Sequence, residues 1–250
     1  MRAQVGLTAA QLLELIDAGT GEDAAWRGRL LLGAAADELP GRQLDQLSLG
    51  GRDAWILALR CNTFGDVLAA RVNCPECGLL LSVKVPRDEV TRQPPAVEGV
   101  ESTVRVEHGS LVVEARSPDG AVLAAAARCA DVDSARLALI HGCVVDARRD
   151  GEPVDPGALD EQTLERIGEA IVGSDPQAEV DVSMTCAACG HDLTAVLDIT
   201  EFFWRELTTT SVQLLDEVHQ LAIGYGWSEE QVLRLPSRRR REYVERVTSE

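Results

Sequence analysis

The chain has 250 residues and a mass of 26.9 kDa, with 45% hydrophobic and only 4% aromatic residues, and 41 acidic against 24 basic side chains, a formal net charge of −17. That length and apolar content are enough to bury one large or two ordinary cores, which excludes a disordered tail. The charge, with a pI near 4.6, repels phosphate backbones, whose binding draws most of its affinity from lysine and arginine displacing counterions, and so disfavours nucleic acid as a partner.

Met1 to Leu7 carries no apolar leader core, and no window approaches the roughly 18 uninterrupted apolar residues of a membrane span. A soluble, cytoplasmic protein without a membrane partner is expected. Lys84 is the only lysine, which hints at a GC-rich coding sequence and carries no functional message.

Residues 8 to 62 are helical in pattern. Leu12, Leu13 and Ile16, then Trp26, Leu30 and Leu31, then Leu44 and Leu47, then Ala54, Trp55, Ala58 and Cys61 recur at helical spacing, separated by Gly19-Thr20-Gly21, Pro40-Gly41 and Gly50-Gly51. Leu49 to Asp53 is expected to open the helix that leads into the first strand; its glycines fit a packing turn, and no phosphate-binding fingerprint is present.

The seven cysteines are the most informative feature. Four form matched pairs, Cys74-Pro75-Glu76-Cys77-Gly78 and Cys186-Ala187-Ala188-Cys189-Gly190, and each pair sits between strand-like runs. After the first, Leu81, Val83 and Val85 alternate with Ser82 and Lys84. Before the second, Val180, Val182 and Met184 alternate with polar residues, and after it Leu193, Ala195, Leu197 and Ile199 share a face. In a reducing compartment, two C-x-x-C knuckles supply the four thiolates of a tetrahedral zinc, and the following glycines permit the sharp turn of each knuckle. Cys74, Cys77, Cys186 and Cys189 are therefore the expected metal ligands and zinc the expected cofactor.

The spacing departs from a simple ribbon: 108 residues separate Cys77 from Cys186, against about 15 to 20 in the usual four-cysteine pattern. A long inserted loop adds little closure entropy, which a structural zinc site outweighs. The alternatives are a thioredoxin-like dithiol, two separate sites, or knuckles sharing zinc between two chains. The dithiol is disfavoured because strands rather than a helix follow each pair. A closed four-thiolate site leaves no coordination position for water or substrate, so the metal is read as structural. His191 is read as exposed or beside the ligands rather than among them. Cys61, Cys129 and Cys143 lie in helical patterns and read as core.

The insertion runs from Pro86 through Pro94 and Pro95 to a hairpin, Thr103 to Glu107 and Leu111 to Arg116, and a turn at Ser117-Pro118-Asp119-Gly120. Helices are expected over Ala121 to Ala130 and Asp133 to Val145. A polar loop from Asp146 to Gly157 then leads to a third helix carrying Leu164, Ile167 and Ile171, which Asp175-Pro176 stops. His108 and His141 lack a neighbouring nucleophile in sequence and read as structural.

From residue 200 the chain is helical. Phe203, Leu207, Leu214, Val218 and Leu221 line one face, Gly224-Tyr225-Gly226 ends it, and Ser228 with Gln231 forms a capping box. Arg238 to Arg241 is the one strong basic cluster, readable as a solvated helix face paired with Glu242 and Glu245, or as a dock for an acidic partner.

The tail from Val218 to Leu235, with Tyr225-Gly226-Trp227-Ser228-Glu229 at its centre and Arg239, Arg240 and Tyr243 after it, resembles the end of baseplate hub assembly chaperones of contractile-tailed phages and contractile injection systems. The paired knuckles resemble longer members of that group, giving an interrupted zinc ribbon. The resemblance implies a non-enzymatic assembly factor or component of a baseplate, partnered by hub, spike or tube proteins and able to enter a tail-like particle. It places the partner surface at Tyr225, Trp227, Leu233, Arg239, Arg240 and Tyr243, and transfers no catalytic residue. The alternative is a zinc-ribbon adaptor or regulator, transcription-related, acting through protein contacts.

The expected fold is α+β: an N-terminal helical region (1–65), a split four-cysteine zinc ribbon of two β-hairpins (66–85 and 179–199), an inserted α+β module (86–178) and a C-terminal helical tail (200–250).

Overall fold

The computed structural model describes residues 6–37, 39–95 and 103–249. Residues 1–5, read above for a leader, and 96–102, inside the expected insertion, lie outside the described residues, as do 38 and 250.

Four helices come first. In α1 (Ala9–Gly19) the Thr8 hydroxyl accepts from the Gln11 amide while the Gln11 side chain accepts from the Thr8 amide, a reciprocal cap that satisfies two otherwise orphan donors. Asp23 caps α2 (Ala24–Ala35), a short α3 (Gly41–Gln46) follows, and Ser48 caps α4 (Leu49–Phe64). Leu12, Leu31, Ile56 and Leu59 face one shared core. Helix α4 is buried continuously from Ala54 to Cys61, Arg60 included.

Helix α4 ends at Gly65, which adopts φ +94°, and the chain turns into the hairpin β1 (Val67–Asn73) and β2 (Leu80–Pro86). Period-two alternation sends Leu68 and its cross-strand partner Val85 into the helical core, while the intervening positions stay exposed. One helical turn, α5 (Arg87–Val90), closes this segment by burying Val90.

A second core lies in the intervening segment. Strands β3 (Thr103–His108) and β4 (Leu111–Arg116) form the expected hairpin, followed by α6 (Gly120–Ala126) and α7 (Val132–Cys143). Here the structure corrects the sequence reading twice. Val144 and Val145 do not extend the helix, and Asp146 to Gly157 is not all loop: β5 (Val144–Arg149) pairs antiparallel with β4 and turns into β6 (Glu152–Pro153), making a four-stranded sheet of order β3-β4-β5-β6. The physical reason is the Asp150-Gly151 pair, with φ +52° and +86°, the left-handed dipeptide that a two-residue hairpin turn requires. Helix α8 (Glu161–Ser174) lays Leu164, Ile167 and Ile171 on this sheet against Val106, Val113 and Ala147.

The chain then returns through β7 (Asp181–Thr185) and β8 (Asp192–Val196), a second two-stranded hairpin. Ile199, assigned to a strand face from its alternation, instead opens α9 (Ile199–Tyr225) and is buried there. Phe203, Leu207, Leu214 and Leu221 form the buried face of α9, which packs against α1, α2 and α4 and joins both ends of the chain. Each such side chain stabilises by about 2 kcal/mol relative to exposure. Two short helices, α10 (Glu229–Leu233) and α11 (Ser237–Thr248), fold back on it. The molecule is α+β, and among the described residues no helix is long and apolar enough to cross a membrane.

Candidate metal centre

Each knuckle is built by the same backbone bonds. The Cys74 amide donates to Leu79 O at 2.9 Å and the Gly78 amide to Cys74 O at 2.9 Å; the Cys186 amide donates to His191 O at 2.8 Å and the Gly190 amide to Cys186 O at 2.9 Å. Gly78 and Gly190 sit at φ +74° and +72°, a conformation a Cβ would strain, so the glycine after each pair is what lets the loop close.

The hairpins carry these knuckles at their tips and bring all four thiols together. The Sγ atoms of Cys74, Cys77, Cys186 and Cys189 lie within 4.8 Å of one another. Cys74 faces Cys189 and Cys77 faces Cys186, both at 3.7 Å. None is disulfide-bonded; Cys74 and Cys186 are buried, Cys77 and Cys189 exposed.

These dimensions suit a tetrahedral ion. A zinc–sulfur bond of about 2.3 Å implies tetrahedron edges of about 3.8 Å, close to the cross-knuckle separations. The electrostatics of the four thiols suit a cation. Amides of Cys189 and Ala188 stabilise the Cys186 thiolate and pull its pKa down to about 6. Cys189 is favoured as a thiolate by the His191 amide, yet desolvation and the other three sulfurs push it up to about 12. The Cys186 thiolate forms readily while Cys77 and Cys189 are pushed up, as like charges in one site must be. A divalent cation would relieve that repulsion, and a soft one suits sulfur. His191 is exposed and its carbonyl, not its ring, serves the knuckle. Cys61 and Cys143 are buried, Cys129 is partly exposed, and none of the three joins the cluster.

The base of the hairpins is fixed by a group that sequence reasoning missed. Arg60 on α4, 2% exposed, donates through Nε and Nη2 to both oxygens of Glu206 on α9 at 2.8 and 2.7 Å, and to the carbonyls of Gly65 and Val67 at 2.7 and 3.0 Å. One guanidinium thereby ties helix α4, the entry to β1 and helix α9 together. A charged residue inside an apolar helix was the only available signal.

At the C-terminal end, Tyr225 stacks on Trp227 with centroids 4.8 Å apart, and Tyr243 meets them edge-on at 5.8 and 5.0 Å. Tyr225 is exposed, Trp227 and Tyr243 half-buried, and Leu233 packs partly against the main core. Arg239 is exposed. Arg240 turns inward instead: 6% exposed, it donates to Glu217 Oε2 at 2.7 Å and Leu235 O at 2.6 Å, so it anchors α11 on α9 rather than facing out.

His108 Nδ1 lies 2.9 Å from the Thr163 hydroxyl, where it links β3 to α8. His141 is half-buried in α7.

No curated protein and no solved structure matches the chain. A family model described as T4 bacteriophage base plate protein matches residues 34–204, from the end of α2 into α9, with both knuckles inside. Because that match spans just over two thirds of the sequence, the chain belongs to the T4 bacteriophage base plate protein family.

Proposed function

We propose that this protein is a zinc-pinned, non-enzymatic baseplate assembly factor or baseplate component of a contractile phage tail or contractile injection system. Family membership supports a baseplate-associated structural role and contact with other baseplate proteins. The observation that carries the finer reading is the meeting of four sulfurs, from knuckles 108 residues apart, at the spacing of a tetrahedral ion. Zinc held by Cys74, Cys77, Cys186 and Cys189 would supply structural cross-linking. It would join the two hairpins into one split ribbon and fix both ends of the segment from 86 to 178 against the helical regions before 65 and after 200. Partners are hub, spike or tube proteins, and the surface offered to them is the C-terminal corner at Tyr225, Trp227, Leu233, Arg239 and Tyr243, with Arg240 holding it in place.

The test is elemental analysis of protein purified under reducing conditions from its native host, combined with identification of co-purifying baseplate proteins. One zinc per chain together with tail proteins is expected. Metal-free protein would remove the clamp, and a wild-type protein that co-purifies with no tail protein would remove the assembly role. Trp227→Ala and Tyr243→Ala should keep the metal and lose the tail proteins; undiminished co-purification would remove this corner from the mechanism.

A further inference from the structure

We propose that the aromatic corner formed by Tyr225, Trp227 and Tyr243, flanked by Arg239 and Arg246, docks an acidic segment of a partner protein. The inference rests on the partner-facing reading of the C-terminal region and names the chemistry that region recognises.

The corner is rigid before any partner arrives. Gly226 adopts φ +68° at the end of α9, and Ser228 and Gln231 cap α10 reciprocally. Arg240 clamps α11 to Glu217, and a Cβ at Gly224 would come within 2.8 Å of the Val247 methyl carbons, so the two helices touch directly. Little conformational freedom remains to be lost on binding, which favours affinity. The rings are packed on one another and still partly wet: Tyr225 is 41% exposed. Aromatic side chains with one face fixed and one face open are enriched at interface centres.

Charge selects the partner. In a chain of net charge −17, residues 225–249 hold six arginines against four glutamates. Three of those arginines are committed, Arg234 to Glu230, Arg238 to Glu242 at 3.1 Å and Arg240 to Glu217. Arg239 and Arg246 stand four residues before and three after Tyr243, on its side of α11, and no ion pair engages either among the described residues. The Arg246 guanidinium lies 5.7 Å from the Tyr243 ring centroid, which preorganises it beside the rings. Acidic groups elsewhere in the molecule that lie more than a Debye length from the corner, about 8 Å at physiological ionic strength, are largely screened. Two uncommitted arginines suit two or three carboxylates. They are too few for a nucleic acid, whose affinity grows with the number of phosphates neutralised. The expected ligand is a short stretch of Asp or Glu interleaved with aliphatic side chains that lie on the rings.

The experiment uses the full chain and a fluorescein-labelled peptide alternating Asp and Leu, read by anisotropy beside Asn–Leu and Lys–Leu versions and an oligothymidine. The Asp–Leu peptide should bind about tenfold or more tightly than the Asn–Leu version and weaken as salt rises. The double variant R239A/R246A should lose about that factor while keeping the metal content and melting temperature of the parent. Equal binding of the Asp and Asn peptides, or unchanged binding by the double variant, overturns the proposal. So does preference for the oligonucleotide, or self-association of the chain that the double variant abolishes, which would make the occupant a second copy. If the ring variants lose baseplate proteins while the double variant keeps both peptide and baseplate binding, the acidic-segment inference fails and the partner-facing reading survives; if the ring variants keep baseplate proteins, that reading itself fails.

Discussion

Asp175 reaches back 125 residues in the chain to Gly50, in the first turn of α4. Its carboxylate accepts from the Gly50 amide at 2.9 Å and from the Ser48 hydroxyl at 3.1 Å. It is 4% exposed, and Gln93 Nε2 donates to the same group at 3.2 Å. Residues from α4, from the chain after α5 and from the end of α8 are thus tied through one side chain. Asp175→Ala should cost about 1–3 kcal/mol, the range for stranding buried donors at a helix start. Gly50→Ala should cost a similar amount by a different route, since its Cβ would collide with Asp175 Oδ1 and come within 2.7 Å of the Ala178 nitrogen. Urea denaturation of the two single variants and the double variant checks this. If both act through one contact, the double variant should lose less than the sum of the singles.

The same junction predicts a pH dependence. Asp53, in the first turns of α4, is raised by burial to about 7, with Arg52 pulling it down and Asp198 and Asp175 adding repulsion. The unfolded carboxyl titrates near 3.8, so between about pH 4 and 7 the folded chain holds more protons than the unfolded one, and stability falls as pH rises. The slope from this group is at most about 1.4 kcal/mol per pH unit. Asp53→Asn should flatten the curve across that window and stabilise the protein at pH 8. Thermal melts of the two proteins at stepped pH measure it; parallel curves would show that Asp53 ionises normally.

Arg60 and Glu206 give the sharpest prediction on stability. Arg60 is almost fully buried, while Glu206 retains 25% exposure of its side chain. Glu206→Ala leaves a buried guanidinium with no carboxylate, held by the carbonyls of Gly65 and Val67 and the neighbouring Cys61 thiol, and should cost about 3 kcal/mol or more. Replacing both residues, Arg60→Met with Glu206→Leu, should recover most of that loss because no uncompensated charge remains. Guanidinium denaturation of the parent and the two variants distinguishes a charge effect from lost packing: a double variant as unstable as Glu206→Ala would show that packing dominates.

These relationships also show what could and could not be read from the amino-acid order. The knuckles were legible because cysteine spacing, the glycine after each pair and period-two alternation are local signals, and the α9 stripe and the Ser228–Gln231 cap are local too. Strand β5 was not, because Val144 and Val145 continue a helical composition and the turn signal Asp150-Gly151 lies inside a polar stretch; pairing with β4 decides it. The inward turn of Arg240 was hidden by its three exposed neighbours in the run 238–241. Asp175 read as a helix stop because its second role depends on a contact 125 residues away. A charged residue announces its charge in sequence, but not the side of the surface on which that charge is spent.

The clamp makes a prediction about where stability resides. Leu68 and Val85 belong to the helical core at the base of the first hairpin, whereas Val113 and Ile167 belong to the separate core under α8. A two-stranded hairpin is marginal by itself, so the outer halves of β1–β2 and β7–β8 depend on the cross-link at their tips, while the second core holds its own packing. Removing the metal with a chelator under reducing conditions should therefore raise amide exchange at Val72 to Leu81 and at Met184 to Leu193 by orders of magnitude, with Val113 and Ile167 changing far less. Cys74→Ser and Cys186→Ser should reproduce that pattern without chelator, and Gly190→Ala should weaken it by about 1 kcal/mol because of its left-handed backbone. Exchange that rises equally in both cores would mean that the ion supports the whole fold. Exchange unchanged at the knuckles would mean that the four sulfurs meet without needing an ion at all.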